Sequence, residues 1–135
     1  MPLRRSDLIA SGLLVAAALV GVVFWESLPA EMAIHFDAGG TPNSYVSKPV
    51  GVMLAPAIGI ASIAFTRVAI RVDPASDPVI ENAAIYFLGG VVSYVHLLVI
   101  AYNLDYRFSM TVALGPVFVA AGVLVAWAIY RDQIA

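Results

Sequence analysis

The chain has no cysteine, which excludes disulfides and thiolate metal sites. Charge is also scarce: 12% of the 135 residues are charged, the formal net charge is -2, and no basic patch of the kind a nucleic-acid partner needs is present. No run alternates apolar and polar residues in the manner of an outer-membrane strand, and no segment repeats at a fixed period. The zinc-protease pattern His-Glu-x-x-His and a nucleophile elbow are both missing. What fills the chain is hydrocarbon. Hydrophobic residues make up 61% of it and the mean hydropathy is +0.92, a composition that a water-soluble chain of this length could not bury.

A bilayer core about 30 Å thick requires roughly 20 mostly apolar residues per helical crossing. Four runs meet that length, over about 8–25, 50–70, 83–103 and 108–130. Helices satisfy their own backbone groups inside lipid, so the expected fold is an all-α membrane protein. It is read as a single domain over 1–135: a four-transmembrane-helix bundle with an ordered extracellular loop, 26–49, between helices 1 and 2. The first run follows Arg4 and Arg5 as a signal peptide would, but it is longer than a usual signal core and is expected to remain as a helix. Ser6 or Asp7 would cap it, and Ser76 or Asp77 would cap the third helix.

Basic residues set the expected orientation. Arg4, Arg5, Arg67, Arg71 and Arg131 fall on one side of the four crossings, and only Lys48 and Arg107 on the other. The positive-inside rule then puts the protein in the cell membrane as a multi-pass chain with both termini cytoplasmic. Arg67 and Arg71 would extend their stems to the inner headgroups.

The segment from Leu28 to Lys48 is the one long stretch that is neither apolar nor helix-like. It gathers Glu31, His35, Asp37 and Lys48 among the turn formers Pro29, Gly39-Gly40 and Pro42, and an activity is sought there first. Lys48 has two readings, an anchor at the outer headgroups or a partner of Asp37 or Glu31. The apolar runs add two patterned faces. Gly51, Ala55, Gly59, Ser62 and Thr66 form a small-residue seam on the second, which contains Pro56 and is expected to kink there. Asn82, Tyr86, Gly89, Ser93, His96, Ile100 and Asn103 form a stripe on the third, expected to face the bundle interior because polar groups in acyl chains lack partners. Gly115-Pro116 would bend the fourth.

The polar segment resembles the N-terminal module of the SdpI-like membrane proteins, the family that includes the immunity protein against a sporulation-delaying peptide toxin. That module reads Leu-Pro-x-x-Ile-Pro-x-His-Phe, then a Gly, Pro-Asp and an aromatic, closing with Ser-Lys. Leu28, Pro29, His35, Phe36, Gly40, Pro42, Tyr45, Ser47 and Lys48 match, whereas Met32, Ala33 and Asn43 depart from the pattern. The likeness is strong over Trp25 to Lys48 and weaker in the helices that follow, and the second module of longer members is missing. The resemblance implies a membrane module of mostly unknown function, with immunity to a membrane-active peptide as an analogy from one branch.

Three functional classes follow. In the first, a binding or accessory protein, immunity-like, uses His35, Phe36, Asp37, Tyr45, Lys48 and Asn103 to engage a membrane-active peptide or a partner protein. In the second, the small-residue seams make the chain a structural subunit of a larger assembly or a homo-oligomer. In the third, the loop folds over the helix ends so that His35, His96, Glu31 and Asp37 hold zinc in a membrane enzyme. The sequence favours binding over chemistry, expects no obligatory cofactor, and names the lipid bilayer as the one certain partner.

Overall fold

The computed structural model describes residues 2–74 and 77–134. Ser76, one of the expected caps, lies outside the described residues. Four long helices, α1 (Arg5–Val23), α2 (Lys48–Val72), α3 (Pro78–Asn103) and α4 (Met110–Ile134), are each long and apolar enough to cross a membrane. They start earlier or end later than the apolar runs alone indicate, because polar residues continue the helices beyond the hydrocarbon length. Asp77 does cap α3, accepting from the amide of Val79 at 2.9 Å, with Pro78 in the first turn where its missing N–H costs nothing. Asp7 takes the amide of Arg4, just before α1, at 3.0 Å. Both α2 and α4 run on through their internal prolines, Pro56 and Pro116.

The loop between α1 and α2 is more regular than a loop. After a short 3-10 turn (Trp25–Ser27), β1 (Glu31–Phe36) and β2 (Pro42–Ser47) pair as an antiparallel hairpin, with irregular register on either side of His35. Its reversal is built by Asp37, whose Oδ1 accepts from the amides of Gly39 and Thr41, both at 2.9 Å, while Gly40 takes φ +81°. The hairpin is no surface appendage. Leu28 and Met32 are buried in a cluster with Val52 of α2 and Val99 and Ile100 of α3.

The remaining packing is uneven. Helices α1, α2 and α3 form one core, with Ala10, Leu14, Ile63 and Ile85 buried together in its other half. Gly89 makes the α1–α3 crossing close: a Cβ there would lie 2.6 Å from the Cβ of Ala10 and 2.9 Å from its Cα. The α2 seam turns out to be centred on Gly51, Val52, Pro56, Gly59, Ile63 and Arg67, while Ser62 and Thr66 return their hydroxyls to carbonyls of their own helix. On α3 the expected interior stripe holds for Gly89, Ser93, His96 and Ile100, but Tyr86 is exposed and Glu81 and Ile85 are buried in its stead. Helix α4 stands apart: Met110 is its one buried residue among those described. It is tied to the rest by Tyr94 Oη donating to the carbonyl of Ala113 at 2.7 Å, Thr111 Oγ1 donating to that of Ala38 at 3.2 Å, and an Arg131–Asp77 ion pair.

Candidate functional site

One side chain of α3 bonds the hairpin's backbone directly. Asn103, on the last turn of α3, accepts from the amide of Ala33 and donates to its carbonyl, both at 2.8 Å, and its second N–H bonds Val99 of its own helix. The primary amide thereby supplies at Ala33 the pairing that a further strand would have given β1, so both backbone groups of this buried residue are satisfied. Phe36 adds an edge-to-face contact with Tyr102, ring centroids 4.8 Å apart, and Tyr102 meets Phe108 in the same way at 6.4 Å.

Lys48 corrects one of the two readings offered for it, the pairing with Asp37 or Glu31. Its Nζ reaches neither Asp37 nor Glu31 but donates to the carbonyl of Trp25 at 2.8 Å, and it lies 5.5 Å from the centre of the Trp25 ring. A cation thus adds a second donor to a carbonyl of the turn that follows α1, which also accepts from the amide of Leu28 at 3.2 Å, and closes the base of the hairpin.

Because α4 packs so lightly, a cleft of about 380 Å³ opens between the hairpin, α3 and α4. Ile34 and Phe36, Val95 and Val99, and Leu114 and Phe118 give it apolar walls, while His35, Asp37 and Thr111 stand along it as the polar members. His35 is exposed and its Nδ1 donates to Asn43 Oδ1 across the hairpin at 2.6 Å. Of the candidate residues, His35, Phe36 and Asp37 therefore share this cleft. Tyr45 is exposed on β2, Glu31 is exposed at the start of β1, and Asn103 and Lys48 hold the hairpin in place.

His96 lies deeper. It is 1% exposed, lines a smaller cavity of about 140 Å³ together with Ile34, Gly51 and Ala55, and leaves Nε2 without a hydrogen-bond partner. Among the described residues, no three His, Asp or Glu side chains converge in a way that could hold a metal, so His35, His96, Glu31 and Asp37 are not gathered into one ligand set.

At the opposite end of the bundle is a cluster that the sequence reading missed. Arg67 was expected to reach the headgroups, yet it is buried: Nε donates to Asp7 Oδ1 at 2.6 Å, and Nη2 donates to Ser6 Oγ at 2.8 Å and Asn82 Oδ1 at 3.0 Å. Ser6 in turn donates to Asn82 at 2.7 Å, and Glu81 lies 3.4 Å from Arg4 and 4.0 Å from Arg67. A charge at helical position 67 can stay in the bundle because α1 brings its counter-ion across. The only clue in the sequence was the polar pair Ser6-Asp7 at the start of an apolar run, which reads equally well as a cap.

Fold and site together define a four-span membrane protein with a β-hairpin clamped over one end of a three-helix core and a cleft beneath it. Residues 12–60 match a domain of unknown function, DUF1648, which takes in most of α1, the whole hairpin and the first half of α2. The chain is also 34% identical over 47 residues to the uncharacterized membrane protein YbgB of Bacillus subtilis (strain 168), a stretch that is 35% of this chain. The match spans about half, 52%, of that relative's length. No solved structure matches.

Proposed function

We propose that the protein is an immunity-like binding module in which the cleft under the hairpin takes up an apolar segment of a membrane-active peptide. The observation that carries this reading is the cleft itself: apolar walls between the hairpin, α3 and the lightly packed α4, with His35, Asp37 and Thr111 as its polar members. Such a lining suits an amphipathic guest that arrives from the bilayer and keeps a polar end near the membrane surface. The hairpin end faces the exterior in this reading, supported by the five arginines at the other end against Lys48 and Arg107 here. The likeness of the Trp25 to Lys48 segment to the SdpI-like module supports the same assignment by analogy.

The test is survival of cells challenged with hydrophobic pore-forming peptides, comparing a strain that expresses the protein with one that lacks it. Protection is expected from the wild type and not from Leu114→Trp, which fills the cleft from α4. Equal protection by that variant at equal membrane abundance would contradict the cleft, and no protection against any peptide would contradict the role. A second reading, a subunit of a larger membrane assembly, is favoured by one observation: nothing in the apolar window of α4 is buried. Co-purification of a stoichiometric partner in mild detergent, lost when α4 is altered, would select it.

A further inference from the structure

The buried cluster at the terminal end adjoins two cavities that meet at Arg67. One, of about 420 Å³, is lined by Arg4, Arg67 and Arg71 with Glu81, and is walled by Pro74 of the α2–α3 connection and by Pro78 at the start of α3. The other, of about 400 Å³, is a groove between α1 and α2 whose walls include Leu3, Leu8, Ile60, Ile63 and Val68. Arg67 itself is 5% exposed, and its Nη1 has no hydrogen-bond partner. Glu81 Oε2 is 4.0 Å away from it, beyond hydrogen-bond reach. A buried guanidinium N–H left without an acceptor is costly, and a phosphate oxygen is a geometrically suitable acceptor for it.

We propose that this end is a binding site for one anionic phospholipid. Its phosphate enters the arginine-lined cavity, and an acyl chain lies in the adjoining α1–α2 groove. Three arginines against one glutamate give the first cavity an excess of positive charge, even though Asp7 neutralises Arg67 from the other side. The groove separates a lipid from a free phosphate, since an inorganic anion would make no use of an apolar channel leading away from the guanidinium. The arginine-lined cavity sits at helix ends, since Arg71 is next to last in α2, Pro78 is first in α3 and Arg4 immediately precedes α1, and the groove runs from there along α1 and α2 to Ser11 and Ile60. The helix ends are at the depth where headgroups lie, and basic pockets between spanning helices are where anionic headgroups are held.

Native mass spectrometry of the intact chain in detergent, with phosphatidylglycerol, phosphatidylcholine or inorganic phosphate added in turn, tests the site. Phosphatidylglycerol is expected to bind at one per chain and to outcompete phosphatidylcholine. Arg71→Gln should weaken it about fivefold, and the double variant Arg4→Gln/Arg71→Gln by more. Ala64→Phe, which narrows the groove without touching a charge, should weaken lipid binding, whereas Arg107→Gln at the far end should leave it unchanged. Equal binding of the two lipids would overturn the proposal. So would undiminished binding by the double arginine variant, indifference to Ala64→Phe, or displacement of the lipid by inorganic phosphate at equal concentration.

Discussion

The two ends of this bundle solve the same problem with different chemistry. At the hairpin end, backbone groups are satisfied by neutral bonds from Asn103 and by one lysine at the carbonyl of Trp25. At the terminal end, α1, α2 and α3 are joined through a buried arginine with its counter-ion and two amide or hydroxyl partners. The difference teaches where the fold is intolerant. A buried ion pair contributes little net stability while intact, because desolvation offsets attraction, but losing one partner strands a charge. A neutral clamp costs less to lose, and what it loses is local.

Removing Arg67 should therefore have the largest effect of any single substitution considered. Arg67→Ala is expected to destabilise by about 3 to 5 kcal/mol in denaturant titrations in detergent, since Asp7 is left charged and buried. Arg67→Met combined with Asp7→Leu should recover most of that loss. If the double variant is no better than the single one, the ionic account of this end is wrong. Next is Gly89→Val, which loosens both ends together by forcing α1 away from α3, at a cost of up to about 3 kcal/mol.

The hairpin end should yield less. Asn103→Ala is expected to cost about 2 kcal/mol or less, with the three-helix core still cooperative and the hairpin more open to proteolysis. A loss as large as that of Arg67→Ala would remove the contrast between the ends.

The smallest effect should be the pH response of the α4 tether. The Arg131 guanidinium bonded to Asp77, with the Val79 amide in support, holds that carboxyl below its ordinary value of 3.8. A carboxylate whose folded value is depressed contributes stability that is present above 3.8 and is lost as the pH falls through the lower folded value. The attachment of the end of α4 should thus be unchanged from neutrality to about pH 4 and weaken only below it. Arg131→Gln should bring the Asp77 titration, followed by carboxyl carbon NMR, back toward its ordinary value.

How far the sequence reveals this molecule follows from the range of the interactions. The four crossings were legible because length and apolarity are local properties, and so was the inward side of α3 at Gly89, Ser93 and His96. Asp77 as a cap was legible for the same reason. The hairpin was only half visible. Gly39-Gly40 flanked by Ile34, Phe36, Tyr45 and Val46 is a hairpin signal, but Pro29 and Pro42 are turn formers, so the sequence indicates an ordered loop without its paired strands. Asn103 was recognised as a stripe residue, yet its partner Ala33 lies 70 positions away, and Arg67 meets Asp7 across 60. No local pattern reports contacts at that separation. The loose seating of α4, which creates the cleft, was also out of reach because α4 is as apolar as its neighbours.

The central claim is that the hairpin is a folded lid clamped to α3. Amide hydrogen exchange at Ala33, measured on the protein in lipid nanodiscs, tests it most directly, because this amide is bonded to Asn103 Oδ1. Strong protection in the wild type, lost in Asn103→Ala while the helix amides of α2 and α3 keep theirs, is the predicted result. Exchange in the wild type as fast as that of an unprotected loop amide, or protection indifferent to Asn103→Ala, would contradict it.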